Sequence, residues 1–267
     1  MGVDGLLSFI NYENMNVPNI LLSEFLYDMD GLAPVSLSLI KTLIKNFDYG
    51  TPFERIANIS CGYGNQSIIL YELTNADIVA IDYREELIEI FQSELKFQKL
   101  DNHIIAKYSK LEELPLKENE LDILWSTDLP PEFRYERVLS NWHQFIREDG
   151  YIVTSAYCWN SSYKPKEISN FLRDCGIEID HFYSRIKEME HNGFVPISHF
   201  TVPCMCWYNF FYPINAKKEQ LSKKYTDNDE VQIFFKNIDL AIDLFEKYNK
   251  HYSYTYFVGK KLSVNEL

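Results

Sequence analysis

Basic residues are scarce in this chain: 26 Lys and Arg stand against 39 Asp and Glu, leaving a formal net charge of -13. A surface of that sign repels phosphate backbones, so a nucleic-acid substrate is disfavoured. The densest basic pairs, Lys217-Lys218 and Lys223-Lys224, fall on a segment that also carries acids, and they read as a solvated helix face. Long apolar runs are missing, and no stretch reaches membrane-spanning length. Met1 to Ile10 has no basic region leading into an apolar one, so no secretory leader is expected. Leu6 stands where a myristoylation motif needs Ser or Thr. Cysteine is sparse and odd in number. Cys61, Cys158, Cys175, Cys204 and Cys206 fit a reducing, cytoplasmic compartment better than a disulfide framework. Cys204-Met205-Cys206 lacks the second ligand pair of a zinc site, so no metal is expected. Internal repeats and low-complexity linkers are absent, which favours one domain over residues 1–267.

What the chain does have is aromatic mass, with 19 Tyr and 18 Phe, much of it after residue 180. It also has a regular alternation of short apolar runs and amphipathic stretches. Residues 1–33 read as a short helix that folds over a site, and a better helix runs from Pro34 through Phe47. From there the expected order is strand 53–60, helix 65–73, strand 77–82, helix 85–100, strand 103–108, strand 121–126, helix 134–147, an Asp149-Gly150 turn and strand 151–157. Strands interleaved with helices in this way predict an α/β, doubly wound, Rossmann-like parallel sheet covered on both faces. After residue 160 the spacing predicts helices at 166–175 and 184–191, a strand at 194–202 and an aromatic, irregular stretch at 203–214. One or two helices over 219–250 and a closing strand at 252–262 follow. Residues 203–250 thus read as a helical insertion before the last strand.

The chemistry-bearing segment is Asn58-Ile59-Ser60-Cys61-Gly62-Tyr63-Gly64, placed directly between a strand and a helix. Glycines there let the backbone turn sharply and approach a ligand closely. Asp82 closes the second strand. In doubly wound folds ligands sit outside the carboxyl ends of the strands, where a carboxylate can accept two hydrogen bonds from ribose hydroxyls. Capping of the following helix is a compatible role for the same residue.

Further along come Leu111-Glu112-Glu113-Leu114-Pro115-Leu116 and Asp122-Ile123-Leu124-Trp125-Ser126, then the Asp-Gly pair before strand five. This order over residues 34–160 resembles class I S-adenosylmethionine (SAM)-dependent methyltransferases of the small-molecule type. The resemblance implies a seven-stranded sheet of order 3-2-1-4-5-7-6 with the last strand antiparallel, and SAM as cofactor with S-adenosylhomocysteine as product. It implies that Asn58, Ser60, Cys61, Gly62 and Gly64 line the methionine part, that Asp82 binds the ribose, that Tyr83, Leu111 and Glu112 frame the adenine, and that Ser126 and Thr127 lie near the methionine moiety. Three departures stand out: Asn58 replaces the usual acid, Ser60 the usual glycine, and Asp128-Leu129-Pro130-Pro131-Glu132 is not the motif of amino-group methyltransferases. A left-handed backbone at Ser60 is expected to cost on the order of 1 kcal/mol.

Methyl transfer from a sulfonium is an in-line displacement in which the protein chiefly aligns the acceptor, so no catalytic dyad is required. His199 and Asp128 are the candidate proton acceptors. Trp159, Trp207 and Tyr212 are the candidate substrate wall for a flat or cationic small molecule. A homodimer is compatible with the sequence. Two other readings stay open. One is a non-catalytic SAM-fold protein, motivated by Asn58 and Ser60. The other is a dinucleotide-dependent oxidoreductase, which would use Gly62, Gly64, Ser67 and Asp82 but leaves the segments at Glu112 and Trp125 unexplained.

Overall fold

The computed structural model describes residues 37–45, 47, 52–130 and 133–263. The lid helix expected over 1–33 lies outside the described residues. One sheet organises the rest. Its strands are β1 (Arg55–Ile59), β2 (Asp77–Asp82), β3 (Ile104–Tyr108), β4 (Leu121–Ser126), β5 (Ile146–Trp159), β6 (Ile179–His181), β7 (Phe194–Thr201) and β8 (Tyr252–Lys261). The spatial order is β3-β2-β1-β4-β5-β8-β7, with β6 pairing β5 off this path. Pairing is parallel from β3 to β5, whereas β8 runs antiparallel to both β5 and β7. This is the expected order with one strand added. β6, too short to leave a periodic signal, is parallel to Tyr157–Trp159 of β5. Because β8 covers the other edge of β5 along Tyr151–Trp159, β6 takes the edge that β4 vacates after Ser126.

Helices α1 (Leu37–Ile44), α2 (Asn65–Thr74), α3 (Glu85–Gln98), α4 (Tyr135–Trp142), α5 (Lys166–Asp174) and α6 (Phe182–His191) cover the two faces. The central strands β1 and β4 are buried along almost their whole length, as a parallel sheet between two helical layers requires. Two cores result. One joins Leu43, Phe91, Leu172 and Tyr254; the other joins Leu111, Leu139, Met189 and Phe257.

Two expectations need correcting. Residues 203–214 are not irregular: α7 spans Cys204–Lys224, and α8 (Asp229–Tyr248) returns beside it as a hairpin. Cys206, Trp207, Phe210, Phe211 and Ile214 recur at helical spacing and are all buried. An aromatic run dense enough to blur its own period, with Pro213 inside it, hides the helix from a periodicity argument. Asp149-Gly150 is not a turn ahead of β5 but a bulge inside it. Asp149 has φ 60°, and the β4–β5 register shifts between Leu121 and Ile123.

Candidate cofactor and acceptor site

The register of the sheet assembles the site. Ile59 of β1 pairs with Ile81 of β2, and Asn58 pairs with Trp125 of β4. The chain leaving β1 therefore emerges between Asp82 and Ser126. This is the point where strand order reverses, and a crevice opens there in doubly wound sheets. The loop turns by left-handed backbone at Ser60 (φ 58°), Gly62 (φ 56°) and Gly64 (φ 82°). The Cys61 amide continues the ladder to the Ile81 carbonyl at 3.1 Å, and the Gly64 amide closes a turn onto the Cys61 carbonyl at 2.9 Å. Gly64 is irreplaceable by packing as well as by φ, because a Cβ there would sit 2.0 Å from the Phe91 ring.

The glycine loop and the strand-two acid meet directly. The Gly62 amide donates to Asp82 Oδ2 at 2.8 Å, and Asp82 is fully buried. Its carboxylate also accepts from the Arg84 amide at 2.9 Å, in the manner of an Asx turn, and from Arg84 Nε and Nη2, each at 2.8 Å. Arg84 Cζ lies 5.2 Å from the centre of the Tyr83 ring. Asn58, where an acid is usual, donates through Nδ2 to Ser67 Oγ at 2.9 Å and so ties β1 to the first turn of α2. Leu111 is buried beside Ile81 in the second core, whereas Glu112 points to solvent. Cys61 is buried, with its thiol against the Gly62 carbonyl at 3.7 Å.

Ser60 is the strained member of this loop. Besides its φ, its Oγ is buried with no hydrogen-bond partner. Replacing it with glycine removes a left-handed side chain and an unsatisfied hydroxyl, offset in part by the greater freedom of glycine in the unfolded chain. A net gain of about 1 kcal/mol is expected for Ser60→Gly, a rise in melting temperature of roughly 2–4 °C. An unchanged or lower melting temperature would mean that this hydroxyl is satisfied in solution.

Past β4 the chain is held from two sides. Ser126 Oγ donates to the Ile59 carbonyl at 3.2 Å. Gln66 of α2 accepts from Trp125 Nε1 at 2.7 Å and from Thr127 Oγ1 at 3.0 Å. The Tyr254 hydroxyl of β8 donates to the Thr127 carbonyl at 2.6 Å and lies 2.7 Å from Ser155 Oγ of β5. Asp128 is buried, and its charge reaches the phenols of Tyr157, Tyr254 and Tyr256. Burial first, and the Asp128 carboxylate next, push the Tyr254 and Tyr256 phenols well above their ordinary range; for Tyr157, burial and Tyr252 precede Asp128. All three therefore stay protonated near neutral pH and act as donors rather than bases. Beside them a cavity of about 60 Å³ opens between Leu129, Phe133, Tyr135, Tyr157, Ile177 and Tyr254.

The structure brings Asn58, Ser60, Cys61, Gly62, Gly64, Asp82, Tyr83, Leu111, Ser126 and Asp128 to one end of the sheet. The other candidates are dispersed. His199 lies on β7, opposite Phe257, with its ring stacked 5.4 Å from Phe182 and 6.1 Å from Phe257. That strand is three places from β4, roughly 14 Å across at the usual strand spacing, so His199 and Asp128 do not form a pair. Trp159, Trp207 and Tyr212 form no common wall. Trp207 is packed on Phe245 at 5.0 Å and its ring also lies 6.4 Å from Tyr157 and 6.2 Å from Tyr254, Trp159 is buried near Lys164, and Tyr212 is 80% exposed on the α7–α8 groove. Both tryptophans are buried, Trp159 at the end of β5 and Trp207 in α7. Gln66, Arg84, Ser155 and Tyr254 escaped sequence reasoning. Only Arg84, two residues past the acid, carried a local signal. Among the described residues no group of three or more His, Cys, Asp or Glu is placed to hold a metal, and no helix is long and apolar enough to cross a membrane.

Comparison with known proteins meets this geometry at the same segment. A family model described as a methyltransferase domain matches residues 56–150, from β1 to the bulge in β5. No curated protein sequence matches the chain. Among solved structures, a SAM-dependent methyltransferase from Thiobacillus denitrificans in complex with S-adenosyl-L-homocysteine is similar with a TM-score of 0.77 at 8% identity, covering 92% of this chain and 100% of that one. A putative sarcosine dimethylglycine methyltransferase from Galdieria sulphuraria gives 0.69 at 13% identity, covering 85% and 84%. Geranyl diphosphate C-methyltransferase from Streptomyces coelicolor A3(2) gives 0.59 at 11%, covering 84% and 80%. The segment over residues 56–150 thus matches a methyltransferase domain, and the chain shares the fold and strand order of these SAM-dependent methyltransferases.

Proposed function

We infer that this protein transfers the methyl group of SAM to a small-molecule acceptor held where the chain leaving β4 faces β5 and β8. The observation that carries this reading is the 2.8 Å contact between the Gly62 amide and Asp82, which fixes a glycine turn against a buried carboxylate at the mouth of the crevice. Residues 60–64 and Asp82 would hold the cofactor, with Tyr83 and Leu111 flanking its base. When bound, SAM supplies an already activated sulfonium methyl group. The protein then needs to align the acceptor and keep water out more than to move protons.

Asp128, Tyr157 and Tyr254 supply the polar lining on the acceptor side. Their phenols stay protonated and donate, and Asp128 is the one carboxylate among them suited to take a proton from an acceptor that starts protonated. The net charge of -13 argues for a small acceptor over a nucleic acid. Calorimetric titration with SAM and S-adenosylhomocysteine tests the cofactor half, and transfer of labelled methyl groups onto a metabolite library tests the acceptor half. Absence of heat with both ligands would refute the reading.

Tyr254→Phe separates the two halves. It removes the hydrogen bonds to the Thr127 carbonyl and Ser155 while leaving the glycine loop untouched. Methyl transfer is expected to fall about tenfold, with S-adenosylhomocysteine affinity within about twofold of the parent. A loss of affinity as large as the loss of rate would place Tyr254 in the cofactor half instead.

A second reading, a SAM-fold protein without turnover, is favoured by one observation: Arg84 occupies the carboxylate that the ribose needs. Binding with no transfer onto any library member would select it.

A further inference from the structure

A carboxylate offers about four lone-pair positions. Among the described residues four donors fill those of Asp82: the Gly62 amide and Arg84 Nη2 on Oδ2, and the Arg84 amide and Nε on Oδ1. Two of these donors are backbone groups fixed by the sheet register and the turn. The other two are the fork of a guanidinium, which presents two parallel N–H groups to one carboxylate much as a cis-diol presents two O–H groups. The carboxylate is fully buried and the Arg84 side chain is 11% exposed, so the pair is largely shielded from water.

Resting on the cofactor reading above, we propose that Arg84 is the affinity-setting residue of this site: its guanidinium occupies the ribose seat on Asp82 and is exchanged, donor for donor, for the two ribose hydroxyls when the adenosyl ligand binds. The backbone donors of Gly62 and Arg84 stay in place through the exchange. Only the side chain, whose Cζ rests 5.2 Å from the centre of the Tyr83 ring, moves away from the carboxylate. A ligand lacking the diol cannot repay the displaced fork, so the same residue makes the site selective for an intact ribose.

The exchange predicts a sign that a purely structural role does not. In Arg84→Ala the unliganded carboxylate keeps its two backbone donors and takes water on the other two positions, which a diol displaces more readily than a charge-assisted fork. S-adenosylhomocysteine is expected to bind Arg84→Ala about tenfold tighter than the parent by calorimetry. The melting temperature without ligand falls, and the rise on saturation with S-adenosylhomocysteine grows. Arg84→Lys keeps the charge but loses the fork and is expected to fall between the two; it serves as the test if the alanine variant folds poorly. Parent binding with equal or weaker binding by both variants would overturn the exchange and leave the cofactor reading standing. No binding by the parent or either variant would remove both. Adenosine and 2′,3′-dideoxyadenosine bound equally well by the parent would also overturn it.

Discussion

Gly64→Ala is expected to lower the melting temperature by roughly 10 °C. Two costs combine at this position. The backbone sits at φ 82°, where a Cβ is disfavoured by about 1–2 kcal/mol. The added methyl also points at the Phe91 ring, whose atoms lie 2.0–2.2 Å from it. That ring is fully buried and packs at the centre of one core, so neither partner yields without displacing α3 or the loop. Overpacking of this kind costs about 1–3 kcal/mol, and the sum, about 3–4 kcal/mol, corresponds to that shift in a chain of this size. The two contributions can be separated. Phe91→Leu in the same protein opens space for the methyl, so the double variant is expected to recover the packing part and keep the backbone part. Thermal melts of the four proteins in the cycle read this directly. A Gly64→Ala protein that melts with the parent would mean that Phe91 does not press on the turn.

How much of this was legible in advance divides along physical lines. The strand–turn–helix junction at 58–64 and the acid at Asp82 could be read because each is local: a few residues fix a turn, and the next strand ends on a carboxylate. The parallel sheet followed from the alternation of elements and its strand order from the family resemblance, and the matched registers of β1, β2 and β4 then placed those residues side by side. The acceptor side was not legible, because its members meet only through pairing across the chain. Tyr254 reaches Thr127 from 127 residues away. His199 looked suitable by residue type, yet its strand sits on the far side of β8. Trp159 and Trp207 read as a ligand wall because buried and ligand-facing aromatics have the same composition; both are buried, and only pairing across the chain sets Trp207 against Tyr157 and Tyr254. Ser60 was read as a strained departure, and its φ is indeed left-handed. The orphaned hydroxyl it brings depends on neighbours that the local sequence does not name.

Asp82→Asn is expected to weaken S-adenosylhomocysteine binding about 100-fold, the largest loss from any single change in the cofactor half. The substitution keeps the shape and removes the charge. One of the two carboxylate oxygens becomes an NH2 group, so a donor now faces either the Gly62 amide and Arg84 Nη2 or the Arg84 amide and Nε, all of them donors themselves. Hydrogen bonds to a charged group contribute about 1.5–3 kcal/mol each, so converting one and neutralising the other accounts for two decades of affinity. Stability falls too, by about 2–3 kcal/mol. Breaking a buried pair by neutralising one partner carries a cost of this order, because the arginine's charge loses its compensation. The combination with Arg84→Ala is the informative protein. If the fork and the ribose compete for the same two positions, removing Arg84 tightens binding only while Asp82 is charged, so Asp82→Asn with Arg84→Ala should bind as weakly as Asp82→Asn alone. Independent effects would instead add, restoring about tenfold. Calorimetry on the four proteins distinguishes these outcomes, and only the non-additive one is consistent with a carboxylate whose last two lone pairs are shared in turn by an arginine and a sugar.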